Sequence, residues 1–450
     1  MHTESGSTDV VVLGGGLAGL RAASVAADAG ARVTLLEKQR SLGGSAALSA
    51  GMFWTAPTME SYETRVPAGD RALAERIIDD YERDLESIRA SGVFVADAAT
   101  DDVMGFGRGF SFDVKAYLGH LEARLLEAGG EIRTGVRVRT ADRSSTHRFR
   151  LLLDAEAGEA ELHADAIVLA TGGFQASPAD RAAWMPDVGE EILLRSNPGS
   201  AGDGLRLATS LGTATAGDLG TFYGHLISHP VTGFTPERFM LFSQYYSDHG
   251  ILVAADGRRF ADESRGDELL NQDLAQLDGM RAFLIFDQQT RSTHGVSEPF
   301  ASFGLIDRLE LAVEHGARHA VADTLDGLVA ALGRLGVEEA QLRRTLAGDV
   351  GISGLATRLS RSAPPTSAQL ALLRTAPFYA LEVQPAITFT LGGIAIDPRS
   401  RVIDVAGSPV VGLFAAGADI GGLSSYGYVG GLAPAHILGS IAGREAAAAC

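Results

Sequence analysis

The sequence predicts an α/β chain: a parallel sheet flanked by helices, extended by a β-meander and interrupted by an inserted α+β domain. Three observations predict it. Asp9 to Leu13 is a short β-branched run that reads as a buried strand, followed at once by Gly14-Gly15-Gly16 and an Ala-rich helical stretch from Leu17 to Ala29. A second apolar run, Arg32 to Glu37, closes a strand–helix–strand unit of the kind that lays its strands parallel. Glycine-punctuated runs of the same kind return at Ala166 to Gly173 and Gly412 to Asp419, with a long stretch of different pattern between them.

The remaining elements follow in order. A helix is expected over Asp70 to Ser91, with Leu73, Ile77, Ile78, Tyr81, Leu85 and Ile88 on one face, and another over Asp113 to Ala128. Arg133 to Thr140, Arg148 to Asp154 and Glu161 to His163 alternate as the strands of a meander, and Ala166 to Ala170 is a further buried strand. From His225 to Pro377 the pattern changes. Strands at His225 to His229 and Ile251 to Ala255 give way to helices near Asp326 to Leu335, Val337 to Ala347 and Ala368 to Arg374. The first pattern returns with strands at Ala395 to Asp397 and Gly412 to Ala416 and a closing helix from Pro434 to Ala449. The expected division is therefore 1–224 and 378–450 for one discontinuous domain and 225–377 for the insertion, with Ser362 to Pro365 as a candidate linker.

Composition narrows the function. The 38 basic residues against 56 acidic ones leave a formal charge of −18, which argues against a polyanion partner. The single cysteine, Cys450, cannot build a disulfide, a thiolate cluster or a redox pair, and His, Asp and Glu show no metal-ligand spacing. The N-terminus lacks a basic segment followed by an apolar one, and the run from Val10 is broken by glycines and charges, so a cytoplasmic chain without a membrane span is expected. Glycine is the outlier, at 55 of 450 residues against a usual share of about 7 %.

Gly14-Gly15-Gly16-Leu17-Ala18-Gly19 fits the G-x-G-x-x-G turn of a Rossmann-like dinucleotide site. Gly14 permits the turn, Gly16 lets backbone N–H groups reach a pyrophosphate, and Gly19 lets helix and strand approach closely. Glu37, ending the second strand, is placed to accept hydrogen bonds from ribose hydroxyls, which disfavours a 2′-phosphate. The small-residue run from Ser41 to Gly51, together with the distant segments Ala170-Thr171-Gly172-Gly173-Phe174 and Leu413 to Asp419, suits a ligand as long as FAD.

As an ordered set these segments resemble the flavoprotein superfamily of fumarate reductase and succinate dehydrogenase, which includes 3-ketosteroid Δ1-dehydrogenases. Gly202-Asp203-Gly204-Leu205, Arg259 to Glu263, Thr390-Leu391-Gly392-Gly393 and Tyr428-Val429-Gly430-Gly431-Leu432 extend the likeness over nearly the whole chain. The resemblance implies a discontinuous FAD domain, an inserted α+β capping domain, and an active site between them. It implies Glu37 at the adenosine ribose, Ser45 near the flavin, Asp419 toward the ribityl chain, and the backbone of Leu432 and Ala433 facing the flavin pyrimidine. Leu17, Ala18, Lys38, Gly43, Ala47, Gly51, Val136, Asp203, Gly417 and Ala418 complete the expected cofactor set. Covalent members carry a histidine where this chain has Gly44, so non-covalent FAD is expected.

The chain departs from the dicarboxylate enzymes at their cationic positions. Tyr428 stands for an arginine, Phe389 for a histidine and Asp267 for the proton-donor arginine, with Arg265 two residues earlier. A carboxylate buried without cations is disfavoured, so an uncharged carbonyl substrate is expected in place of succinate or fumarate. Tyr428, with Tyr426, suits a ketone oxygen, since a phenol O–H stabilises an enolate-like transition state. Asp267 is the expected base, with His229 second; capping of the following helix is an equal alternative for Asp267, a satisfied structural role is an equal alternative for His229, and a structural role is the expected one for His225. Phe53, Trp54, Phe106, Phe110, Phe112 and Tyr245-Tyr246 are candidates for an apolar wall. The expected reaction is α,β-dehydrogenation of a carbonyl compound, with a hydride taken by the flavin. The reverse ene-reductase and a flavin subunit of an electron-transfer complex are the alternatives, and the electron acceptor is expected to be oxygen, a quinone or a carrier protein.

Overall fold

A computed structural model describes residues 5–155, 158–186, 188, 191–298, 304–354 and 365–450. Two units emerge: Met1–Asp180 with Ser196–Thr221 and Phe389–Cys450, and Arg181–Arg195 with Phe222–Thr388. Relative to the expected boundaries, the second unit gains Arg181–Arg195, because Leu193–Leu194 pairs in parallel with Ala386–Ile387. It also extends past residue 377, because Phe378–Gln384 is one of its inner strands. Most of the candidate linker, 362–364, lies outside the described residues.

In the first unit, Ser5–Leu13 runs parallel to Val33–Glu37 on one side and to Gly158–Leu169 on the other, within an eight-stranded sheet among the described residues. Val10, Val11 and Val12 are fully buried there, as a continuous apolar run in an inner parallel strand requires. Glu131–Thr134 is not a meander strand, as expected, but the parallel neighbour of Val33–Glu37. The meander consists of Arg137–Arg143, Phe149–Ala155 and the start of Gly158–Leu169. That last strand is continuous where the sequence shows two. It pairs with Phe149–Ala155 as far as Ala164 and, from Ile167, with Pro409–Ala415, so its pattern changes from mixed to wholly apolar along its length. The strand expected at Ala395 to Asp397 is reduced to Gly393–Ile394 and an isolated bridge at Ile396.

Helices Arg71–Arg89 and Val114–Glu127 start where Asp70 and Asp113 accept hydrogen bonds from Leu73 N at 3.1 Å and Ala116 N at 3.0 Å. The first helix, Leu17–Asp28, packs against the last, Leu432–Ala448, through glycines: a Cβ at Gly439 or Gly443 would fall 2.6 or 2.4 Å from the Ala18 or Ala22 carbonyl oxygen.

The second unit is built on an antiparallel sheet in the order 227–228, 378–384, 282–287, 251–253, with His319–Ala322 also pairing with Phe378–Gln384. Its inner strands are buried on both faces: Leu284 and Phe286 join Leu270 and Leu274 on one side, while Phe283 and Ile285 join Leu328, Leu332 and Leu342 on the other. The helix expected near Ala368 is a short 3₁₀ turn, Ala368–Leu372. Among the described residues no helix is long and apolar enough to cross a membrane.

Candidate active site

The first unit brings the three glycine segments together. Gly14 adopts φ +104°, and a Cβ there would lie 2.2 Å from the Ala170 oxygen; at Gly19 it would lie 1.8 Å from the Gly14 oxygen. Gly16 is different. With φ −79° and nothing nearer to an added Cβ than Gly43 O at 4.0 Å, neither backbone nor packing requires glycine there. That leaves open space against the start of the first helix, whose leading N–H groups have no side-chain cap.

The surrounding residues are fixed by hydrogen bonds. Glu37 is buried and accepts from Gly15 N at 2.7 Å and Gln39 N at 2.8 Å, while Val136 N donates to its carbonyl at 3.0 Å. Lys38 pairs with Asp203 at 2.5 Å, and Arg137 and Arg206 each reach the other Asp203 oxygen at 2.7 Å. Burial alone would raise the Asp203 carboxyl, but Lys38 and Arg137 outweigh it and hold the group below the usual range. Gly43 bridges to Gly16 and opens the 3₁₀ turn Gly44–Leu48, which carries Ser45 and Ala47; Ser45 Oγ lies 3.4 Å from Ser196 Oγ. Gly51 accepts from Phe112 N at 2.8 Å. Asp419 accepts from Thr171 N, from Thr171 Oγ1 at 3.0 Å and from Gly172 N at 3.2 Å, which locks two distant segments together. Burial, only partly offset by those donors, pushes its carboxyl up to about 7. Gly417 and Ala418 share its 3₁₀ turn, Leu17 and Ala18 open the first helix, and Leu432 and Ala433 open the last.

Tyr428 lies in the same unit, 6 % exposed, its ring edge-on to Trp54 at 5.3 Å and to Phe389 at 5.4 Å. Thr55 Oγ1 donates to Val429 O at 3.0 Å and anchors this segment on strand Met52–Thr55. A Cβ at Gly431 would lie 3.0 Å from the Tyr428 hydroxyl, so the phenol sits over the start of the last helix. Tyr426 occupies a tight turn with φ +63°, a strained conformation for a non-glycine residue. Of the candidate wall, Trp54 packs against both Tyr428 and Phe106, whereas Phe53 and Phe112 pack together in the core and Phe110 lies under Arg89.

The second unit holds a buried polar chain. Asp267 accepts from Ser247 Oγ at 2.9 Å and is joined to His225 Nδ1, and His225 Nε2 lies 2.7 Å from Tyr223 Oη. Burial, opposed by Asp267, pulls the His225 imidazole down, which favours its neutral form. With Nδ1–H donating to Asp267, Nε2 accepts from the Tyr223 hydroxyl. Burial pushes the Tyr223 phenol up, against the pull of Arg195. Asp267 does not cap its helix, since Gly266 occupies that position. Nor is it an isolated base: His225, which the sequence marks as structural, stands between it and Tyr223. His229 is apart from this chain, half-buried beside Gln384, with Nδ1 unbonded among the described residues and its imidazole lowered by burial. Arg265 ends the 3₁₀ turn Glu263–Arg265.

Two guanidinium groups adjoin the chain. Arg195 is 1 % exposed and donates to Thr388 Oγ1 at 2.8 Å and Tyr245 Oη at 3.4 Å, with its Cζ 4.2 Å from the Phe239 ring centroid. Arg308 is 2 % exposed, donates to Met240 O at 3.3 Å and lies 5.0 Å from the Tyr245 ring centroid. Neither pairs with a carboxylate among the described residues, and the Nε of each is without a hydrogen-bond partner there. Burial lowers the Arg308 guanidinium. A desolvated cation–π contact returns about 2 kcal/mol, whereas burying an unpaired ion costs several times that.

A family model described as an FAD binding domain matches residues 106–432, and one described as an FAD dependent oxidoreductase matches residues 9–176. The chain belongs to the FAD-binding family of fumarate reductase and succinate dehydrogenase flavoproteins. It is 28 % identical to a fumarate reductase (cytochrome) of Shewanella frigidimarina, over 98 % of this chain and 77 % of the relative. It is 27 % identical to a 4-oxocyclohexanecarboxylate 2-dehydrogenase of Sinomonas cyclohexanicum, over 99 % and 94 %. The fold is also that of a 3-ketosteroid-Δ4-(5α)-dehydrogenase from Rhodococcus jostii RHA1, with a TM-score of 0.74, 20 % identity and coverage of 98 % and 97 %.

This flavoprotein is thus an FAD-dependent oxidoreductase, and the unclaimed space at Gly16, the bare helix start and buried Glu37 fit the cofactor. The second unit buries Arg195 and Arg308, which, like Tyr223 and Ser247, lie outside every motif and carry no periodic signal in the sequence.

Proposed function

We propose that this flavoprotein oxidises a C–C bond next to a carbonyl, desaturating a cyclic ketone. The observation that carries the reading is the Tyr428 phenol, buried in an aromatic wall over the start of the last helix. Its O–H donates to the substrate carbonyl oxygen and stabilises the negative charge that develops there when the α-proton leaves. Within the second unit, Tyr223 Oη is able to take up a proton while its own passes to His225 Nε2 and the Nδ1 proton to Asp267, which equips this chain of groups to act as a base. Arg195, beside Tyr223, lowers the cost of charge on the phenol. Bound FAD supplies the two-electron acceptor for the β-hydride. Gly44, where a histidine would be needed for covalent attachment, supports non-covalent binding.

A second reading, reduction of an unsaturated acid, is favoured by Arg195 and Arg308, which could hold a carboxylate. Anaerobic mixing of the holoenzyme with cyclic ketones separates the two. Bleaching of the visible flavin band supports desaturation. Absence of bleaching, with reoxidation of chemically reduced enzyme by unsaturated acids, selects the reductase.

A further inference from the structure

We infer that Arg195 and Arg308 form an anion subsite that takes a carboxylate on the substrate, so that the molecule acted on is a small oxo- or enoyl-carboxylic acid. The inference deepens the proposed function and rests on the second unit contributing to substrate binding.

The two arginines share one residue. Tyr245 Oη lies 3.4 Å from Arg195 Nη2, and the Tyr245 ring lies under the Arg308 guanidinium. Both side chains are all but inaccessible, and a guanidinium stays charged in any such setting. Their acceptors are a threonine hydroxyl, a tyrosine hydroxyl, the neighbouring Tyr223 and one backbone carbonyl, all neutral. Asp267 is the carboxylate whose charge reaches Arg308, and its two oxygens already serve His225 and Ser247. Two cations against one committed anion leave positive charge in a dry place, and buried charge calls for a partner. The unbonded Nε atoms are the donors that such a partner would engage, since a planar fork suits a carboxylate with two oxygens.

Cyclohexanecarboxylate and its carboxamide, which have nearly the same shape and differ in charge, test this on the holoenzyme by calorimetric titration and thermal shift. Neither needs to be turned over, so the outcome is independent of whether ketones are desaturated. The acid is expected to bind about tenfold or more tighter than the amide, as a charge-assisted contact predicts. R195Q and R308Q are expected to abolish that preference, and R195K to retain part of it. Equal affinity for acid and amide in the wild-type protein overturns the proposal even if a variant fails to fold. So does a preference that survives in folded R195Q/R308Q.

Discussion

In the proposed reaction Tyr428 Oη stabilises the enolate, and its surroundings make that role separable from cofactor binding. The ring rests on Trp54 and Phe389, contacts that phenylalanine keeps. Y428F should therefore lower kcat by about 10²-fold, the usual cost of one oxyanion donor, with flavin content unchanged; loss of flavin with full activity per remaining holoenzyme would refute the role. In the second unit, D267N should lower kcat by at least tenfold, since a general base contributes about 10²–10⁴-fold, and Y223F should match it. Additive losses in the double variant would show that the two do not act as one chain. Asp419 makes a pH-dependent claim. Its folded pKa, near 7, exceeds that of the unfolded chain, so its contribution to stability is fully present below the carboxylate range and is lost as pH rises through about 7. D419N removes this dependence, so the wild-type-minus-variant difference in Tm should fall between pH 5 and pH 8. Taking the difference cancels groups of opposite sign, such as His436, which burial holds near 4. Legibility at this scale followed spacing. Glu37, Asp419 and Tyr428 sit at fixed offsets from glycines, whereas Arg195 and Arg308 are two arginines in a chain whose basic residues are almost all arginine.

Among the elements, the opening strand–turn–helix offers the sharpest contrast. Gly19 and Gly16 look alike in the motif, yet a methyl group strikes a carbonyl 1.8 Å away at the first and nothing within the protein at the second. G19A should therefore lower Tm and flavin content together, with a cost of at least the roughly 1–3 kcal/mol of an overpacked core. G16A should leave the Tm of flavin-free protein unchanged and weaken FAD binding by tenfold or more. If G16A instead unfolds the apo-protein, the glycine is structural. The first sheet was legible because each inner strand is a pure apolar run next to a glycine turn. Gly158–Leu169 reads as two strands in the sequence because its neighbour changes partway along. Inner strands Ala282–Asp287 and Phe378–Gln384 were missed for a related reason: buried on both faces, they lack the alternation that marks a strand.

For the molecule as a whole, two independently cored units share one chain, and the sequence signals the first more clearly because a dinucleotide site imposes fixed glycine spacing. Arg181–Arg195 joins the second unit through a two-residue strand too short to leave a pattern. In the proposed reaction a carbonyl compound gives up its α-proton to side chains of this protein and its β-hydride to the flavin. Anaerobic single turnover with a β-deuterated cyclic ketone tests it most directly. The flavin band is expected to bleach, and deuteration to slow the bleaching. Bleaching by no ketone, with reoxidation of the reduced enzyme by alkenes, would contradict it.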